Sequence, residues 1–100
     1  MASDCDFLDF VLGQVADLGN DITWRKMMGE YIIYYRGKII GGIYDNRFLV
    51  KPVESVMKNI PGEMALPYES GKQMFMITDI DNPDCLCRAI QLVYNDLHKI

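Results

Sequence analysis

Histidine is almost missing from this chain: His98, close to the carboxyl end, is the single one. Its place suggests a solvated residue that suits the negative end of a helix dipole, not a catalytic base. Cysteine is scarce as well. Cys5, Cys85 and Cys87 are too few, and odd in number, for a disulfide framework, so reduced and partly buried thiols are expected. Cys85-Leu86-Cys87 on a helix would point its two thiols about 200° apart, which excludes a zinc pair. No uncharged apolar run approaches the ~18 residues of a membrane span. The opening MASDCDFLDF is acidic where a signal peptide would be basic, so a cytoplasmic location without membrane contact is expected. A glycine-rich phosphate loop is also lacking, since Gly41-Gly42 leads into no helix start. Ser55 and Ser70 have no histidine partner in sequence, and Asp79 and Asp81 are explained by the helix start that follows them. No catalytic residue, cofactor or metal is therefore expected, and the chain reads as non-enzymatic.

What is present is apolar substance and an uneven distribution of charge. Half of the 100 residues are hydrophobic. A single domain of that size hides roughly two-thirds of its unfolded surface and sustains one core without staples. The net charge is −4. Residues 1–24 carry Asp4, Asp6, Asp9, Asp17 and Asp21 and no base. Residues 25–51 carry Arg25, Lys26, Arg36, Lys38, Arg47 and Lys51 against Glu30 and Asp45, and the remainder is acidic again. An overall acidic domain repels a phosphate backbone at long range, so autonomous DNA binding is not expected, while a local basic face can meet an acidic partner.

Helix signals begin at Ser3, with Asp6 three positions on in a capping-box arrangement. Phe7, Val11, Leu12, Val15 and Leu18 recur at helical spacing until Gly19-Asn20 ends the run. Between Trp24 and Pro52 the turn signals Arg36-Gly37 and Asp45-Asn46 separate apolar, β-branched and aromatic segments, an antiparallel meander of three or four strands. Within it Tyr31, Ile33 and Tyr35 share the face assigned to the helices, and Ile32 and Tyr34 share the other. Gly41-Gly42 predicts a bulge, or a ring or backbone lying close. A short helix over Val53–Asn59, an ordered loop over Glu63–Lys72 and a strand over Gln73–Thr78 follow. In that strand Met74 and Met76 face one way and Phe75 and Ile77 the other. Asn82-Pro83-Asp84 starts the last helix, on which Leu86, Ala89, Ile90, Val93, Tyr94 and Leu97 form one stripe. This order suits a two-layer α+β domain, one antiparallel meander sheet with helices packed on one face, occupying residues 1–100.

The same stretch carries a resemblance. Arg25, Met28, Gly29, Tyr34, Gly37, Lys38, Asp45, Lys51 and Pro52, followed by Pro67-Tyr68, are similar to the pattern of the TfoX (Sxy) amino-terminal domain of bacterial competence regulators. The resemblance implies a secretion-chaperone-like fold in a stand-alone domain. It also implies a role in transcription regulation, as a competence-type regulator or coactivator acting through protein contacts. In the full-length regulators a second, helical domain follows and the protein works with the cyclic-AMP receptor protein; the family supplies no catalytic residues.

The candidate partner-binding residues are Arg25, Lys26, Arg36, Lys38, Lys51 and Tyr68, with a protein, including the transcription machinery, as the partner and a homodimer as a further form. Cations at turns and strand ends also keep sheet edges soluble, which is the plainer account of the basic cluster. Most of the seven methionines are expected to fill the core. The alternative function is a small-molecule or nucleotide-binding domain using the Pro67-Tyr68 loop and the basic strand ends.

Overall fold

The computed structural model describes residues 5–68 and 71–97. Ser3, Ser70 and His98, singled out above, lie outside the described residues. The order is helix α1 (Cys5–Gln14), a 3₁₀ segment (Ala16–Asp21), strands β1 (Ile22–Met27), β2 (Glu30–Tyr35), β3 (Lys38–Tyr44) and β4 (Arg47–Val50), helix α2 (Glu54–Asn59), strands β5 (Gly62–Ala65) and β6 (Met74–Ile77), and helix α3 (Pro83–Leu97). The strands form one sheet in the order β1-β2-β3-β4-β6-β5, with every neighbouring pair antiparallel. This is the α+β arrangement that the apolar periodicity requires.

Three two-residue turns build the meander. Met28-Gly29, Arg36-Gly37 and Asp45-Asn46 all have positive φ at both positions. That is the turn whose twist matches the right-handed twist of paired strands. Sequence reading finds the second and third; the first was hidden within Lys26-Met27-Met28, so β1 was not separated from β2. Between β2 and β3 the register shifts at Ile33/Tyr34, leaving Ile40 without an opposite number. The bulge expected at the glycine pair is therefore present, and so is the close approach: a Cβ on Gly42 would fall 2.9 Å from the Tyr44 ring and 2.6 Å from the Tyr31 carbonyl oxygen.

Alternation decides which side chains enter the core. Tyr31, Ile33 and Tyr35 are buried, as are Ile43, Phe48, Val50, Phe75 and Ile77. They meet Leu8, Val11 and Val15 from α1, Val56 from α2, and Leu86, Ala89, Ile90 and Val93 from α3. Each such aliphatic or aromatic side chain contributes about 1.5–3 kcal/mol when removed from water, before the entropy of ordering the chain is subtracted. Helix α3 is anchored at its start by Asn82, whose Oδ1 accepts from the Cys85 N–H at 3.2 Å while its Nδ2 donates to Asp79.

Two expectations need correction. The first helix ends at Gln14, not at Leu18; the chain tightens into the 3₁₀ segment, where Leu18 N–H bonds to the Val15 carbonyl. Three residues per turn bring Val15 and Leu18 to the same side, so the apolar spacing is satisfied by the tighter winding. The stretch from Glu63 is not all loop, because Gly62–Ala65 pairs with β6 as an edge strand. Its composition has little strand preference, and the exposed ladder of β6 supplies the reason for the extended state.

Candidate partner-binding surface

The face of the sheet opposite the helices is built by cross-strand rows. One row runs Arg25, Ile32, Gly42, Leu49, Met76, Glu63 from β1 to β5. Its centre is covered. Leu49 is fully buried although it points away from the helical core. Arg47, two residues earlier on the same face, donates through Nη2 to the carbonyl oxygens of Leu66 at 2.8 Å and Pro67 at 3.3 Å, and through Nε to that of Tyr44 at 3.2 Å. Pro67 is buried, and the Tyr68 ring lies 6.2 Å from that of Tyr44, which itself spreads over Gly42. The segment Leu66–Tyr68 is thus drawn back over β3 and β4. Burial, with Tyr68 and Glu30 nearby, pushes the Tyr44 hydroxyl pKa up, so this ring stays neutral.

Toward β1 the same face is open. Thr23, Arg25 and Met27 are exposed, Ile32 and Tyr34 are half-buried, and Ile39 is exposed. Strand β1 stands at the margin of the sheet, and from Thr23 to Met27 every residue is exposed. Trp24 lies on the helix-facing side with its ring edge-on to Tyr31 at 5.6 Å, yet 47% of it remains accessible, and Met28 at the turn is 97% accessible.

The residues singled out from sequence do not form one cluster. Arg25 and Lys26 sit side by side on β1 and point to opposite faces. Arg36 lies at the β2–β3 turn, where its Nε donates to Asp21 Oδ2 at 3.0 Å and its guanidinium lies 5.1 Å from the Tyr35 ring centre and 5.7 Å from that of Tyr94. The hydrogen bond from Arg36 to Asp21, followed by the influence of Tyr35, raises the Arg36 pKa further. Lys38 is exposed opposite Tyr35, and Lys51 follows β4 with its N–H bonded to the Ile40 carbonyl. Tyr68 is exposed beside Tyr44. Arg36 is therefore engaged within the fold, whereas Arg25 and Lys26 belong to the sheet margin. Sequence shows Arg47 only as one of the basic residues, since the partners that make it the anchor of the cover are carbonyl oxygens nineteen and twenty positions away.

Ser55 Oγ donates to Asp96 Oδ2 at 2.9 Å, joining α2 to α3. Cys85 and Cys87 have pKa values pushed up, chiefly by burial. A shallow groove of ≈ 250 Å³ is lined by Phe7, Arg47, Phe48, Met76, Ile77 and Ile80 among others. No group of three or more His, Cys, Asp or Glu able to hold a metal ion occurs among the described residues, and no helix there is long and apolar enough to cross a membrane.

A relative is known in Spirochaeta aurantia, an uncharacterized 12.7 kDa protein in the trpE 5' region, 31% identical over 83 residues that cover 80% of this chain and 70% of that protein. The chain belongs to the family of that protein. No family model matches it, and no solved structure matches it.

Proposed function

We propose that the chain is a non-enzymatic protein-interaction module of the TfoX amino-terminal type. In this reading it acts, as in competence regulators, through contacts with a protein of the transcription machinery. The observation that carries the proposal is the uncovered half of the sheet. Met27, Ile32, Tyr34 and Ile39 leave apolar surface beside Arg25, while the centre of the same face is covered by Leu66–Tyr68. The acid of this face, Glu30, accepts from the Asp45 N–H at 3.0 Å, so the apolar side chains beside exposed Arg25 suit a protein partner with an acidic surface. Several positions of the TfoX pattern, Met28-Gly29, Gly37 and Asp45, fall at the three turns and account for fold. Arg25, Tyr34 and Lys51 fall on the surface and are left for contact.

The ligand-binding alternative is less well supported. The guanidinium nearest the Pro67-Tyr68 loop, Arg47, already donates to three carbonyl oxygens, and Tyr68 rests beside Tyr44. The test is recovery of partners by the tagged chain from its native cells, repeated after reversing Arg25, Lys38 and Lys51 to Glu. A transcription factor or polymerase subunit recovered by the first protein and lost by the second is the expected result. Recovery of the same proteins by both would remove the basic residues from the proposal, and recovery of none would overturn it.

A further inference from the structure

Strand β1 ends the sheet with its ladder turned outward, and the register shows which groups it presents. The Arg36 N–H bonds to the Asp21 carbonyl at 2.8 Å, making that pair a hydrogen-bonded one. Antiparallel pairs alternate, so Thr23/Tyr34, Arg25/Ile32 and Met27/Glu30 bond likewise, in keeping with a two-residue turn closed by Met27 and Glu30. The backbone N–H and C=O groups of Trp24 and Lys26 therefore point away from the sheet, as does the Ile22 carbonyl, while the Ile22 N–H is taken by the Gly19 carbonyl. Around them stand two cations on opposite faces, Arg25 and Lys26, and two accessible apolar side chains, Trp24 and Met27. Cations alone would guard an edge. A half-exposed tryptophan beside them adds nothing to that guard and is a common anchor of interfaces.

We infer that the β1 edge receives an acidic, extended polypeptide segment as a seventh strand, antiparallel to β1, an inference that rests on the interaction-module reading and gives the partner its chemistry. Main-chain bonds to Trp24, Lys26 and the Ile22 carbonyl supply the pairing, and side chains opposite β1 supply selectivity. Facing Trp24, Arg25, Lys26 and Met27, the incoming strand carries apolar, acidic, acidic and apolar residues in turn. Antiparallel self-pairing in a continuous sheet is centred on one residue, and centring on Arg25 or Lys26 sets like charges directly opposite one another, which disfavours a second copy in those registers. The opposite margin, β5, is shorter and carries Glu63, so it repels an acidic strand.

Trp24 is the one tryptophan of the chain and reports directly on this edge. The probe is a fluorescent eight-residue peptide with Val-Glu-Glu-Val between threonines, titrated into the intact protein. The expected results are saturable anisotropy, a blue shift of Trp24 emission, slowed amide exchange at Trp24 and Lys26, and weakening as salt is raised. Arg25→Glu with Lys26→Glu should weaken binding roughly tenfold and create binding to the Val-Lys-Lys-Val counterpart. Trp24→Pro, which removes an outward N–H and spares the β1–β2 ladder, should abolish binding while circular dichroism stays unchanged. No saturation at millimolar peptide, equal binding of both peptides, or protection at β5 would overturn the inference. So would light scattering that shows β1 already occupied by a second copy. If partners recovered from cells survive Trp24→Pro, the edge inference fails and the module reading stands.

Discussion

Arg47 Nη2 donates to the carbonyl oxygen of Leu66 at 2.8 Å, and this bond holds the cover over the far side of the sheet. The same guanidinium reaches Pro67 and Tyr44, so one side chain ties three backbone carbonyls that would otherwise compete for water. Arg47→Ala is expected to destabilise the fold by about 1–3 kcal/mol, the range for hydrogen bonds to a charged group. Arg47→Lys should recover only part of that, because an ammonium lacks the planar fork. Urea unfolding of the three proteins checks this; equal stability of wild type and Arg47→Ala would show that the cover is held by apolar contact alone.

Gly42 is required for space, not for an unusual backbone angle. Gly42→Ala places a methyl group against the Tyr31 carbonyl and the Tyr44 ring. A loss of about 1–3 kcal/mol is expected from overpacking. The double variant Gly42→Ala, Tyr44→Ala should relieve the ring part of the clash and leave the carbonyl part, a difference readable in a thermal unfolding cycle.

The Ser55 hydroxyl joins two helices that touch across forty-one positions of sequence. Either Ser55→Ala or Asp96→Ala is expected to cost about 1 kcal/mol, with the double variant little worse than the single ones because both remove the same bond. Additive losses in denaturant titrations would show that the two residues act separately.

The thiols should separate by burial. Cys5 is exposed, whereas Cys85 and Cys87 have raised pKa values from desolvation, reinforced by Asp79 at Cys85 and by Asp17 and Asp84 at Cys87. At mildly alkaline pH Cys5 should alkylate at least roughly tenfold faster than the other two, measured by mass spectrometry of labelled peptides. A thiol whose folded pKa lies above its unfolded value binds its proton more tightly in the native state. The resulting stability is whole below the unfolded pKa and declines as pH rises from there through the folded one, so unfolding midpoints should fall over that alkaline range. Cys85→Ser with Cys87→Ser should lessen the slope; an unchanged slope would remove the thiols as its cause.

Much of the architecture was legible before the fold was seen because alternation fixes the face of a strand residue wherever one face is buried. Tyr31, Ile33 and Tyr35 against Ile32 and Tyr34, and Phe75 and Ile77 against Met74 and Met76, divide as their spacing demands. Turn chemistry was legible where Gly or Asn marked a break between apolar segments. The candidate surface was less so. Arg25 and Arg36 look alike in sequence and both are exposed, but one stands on an edge strand and the other is held by Asp21 beside two tyrosine rings.

The sequence by itself determined the α+β layering, the inward face of β2, the division of β6 into two faces, and the extent of α3 from its Asn82 cap and apolar stripe, since each depends on neighbours within a few residues. Only the tertiary structure decided that β6 lies between β4 and β5, that Gly62–Ala65 is extended, that Leu49 is sealed by a segment anchored on Arg47, and that β1 is left at the margin. A two-residue period says which way a side chain points and nothing about which strand lies beside it. That choice belongs to hydrogen bonds and contacts between residues far apart in the chain.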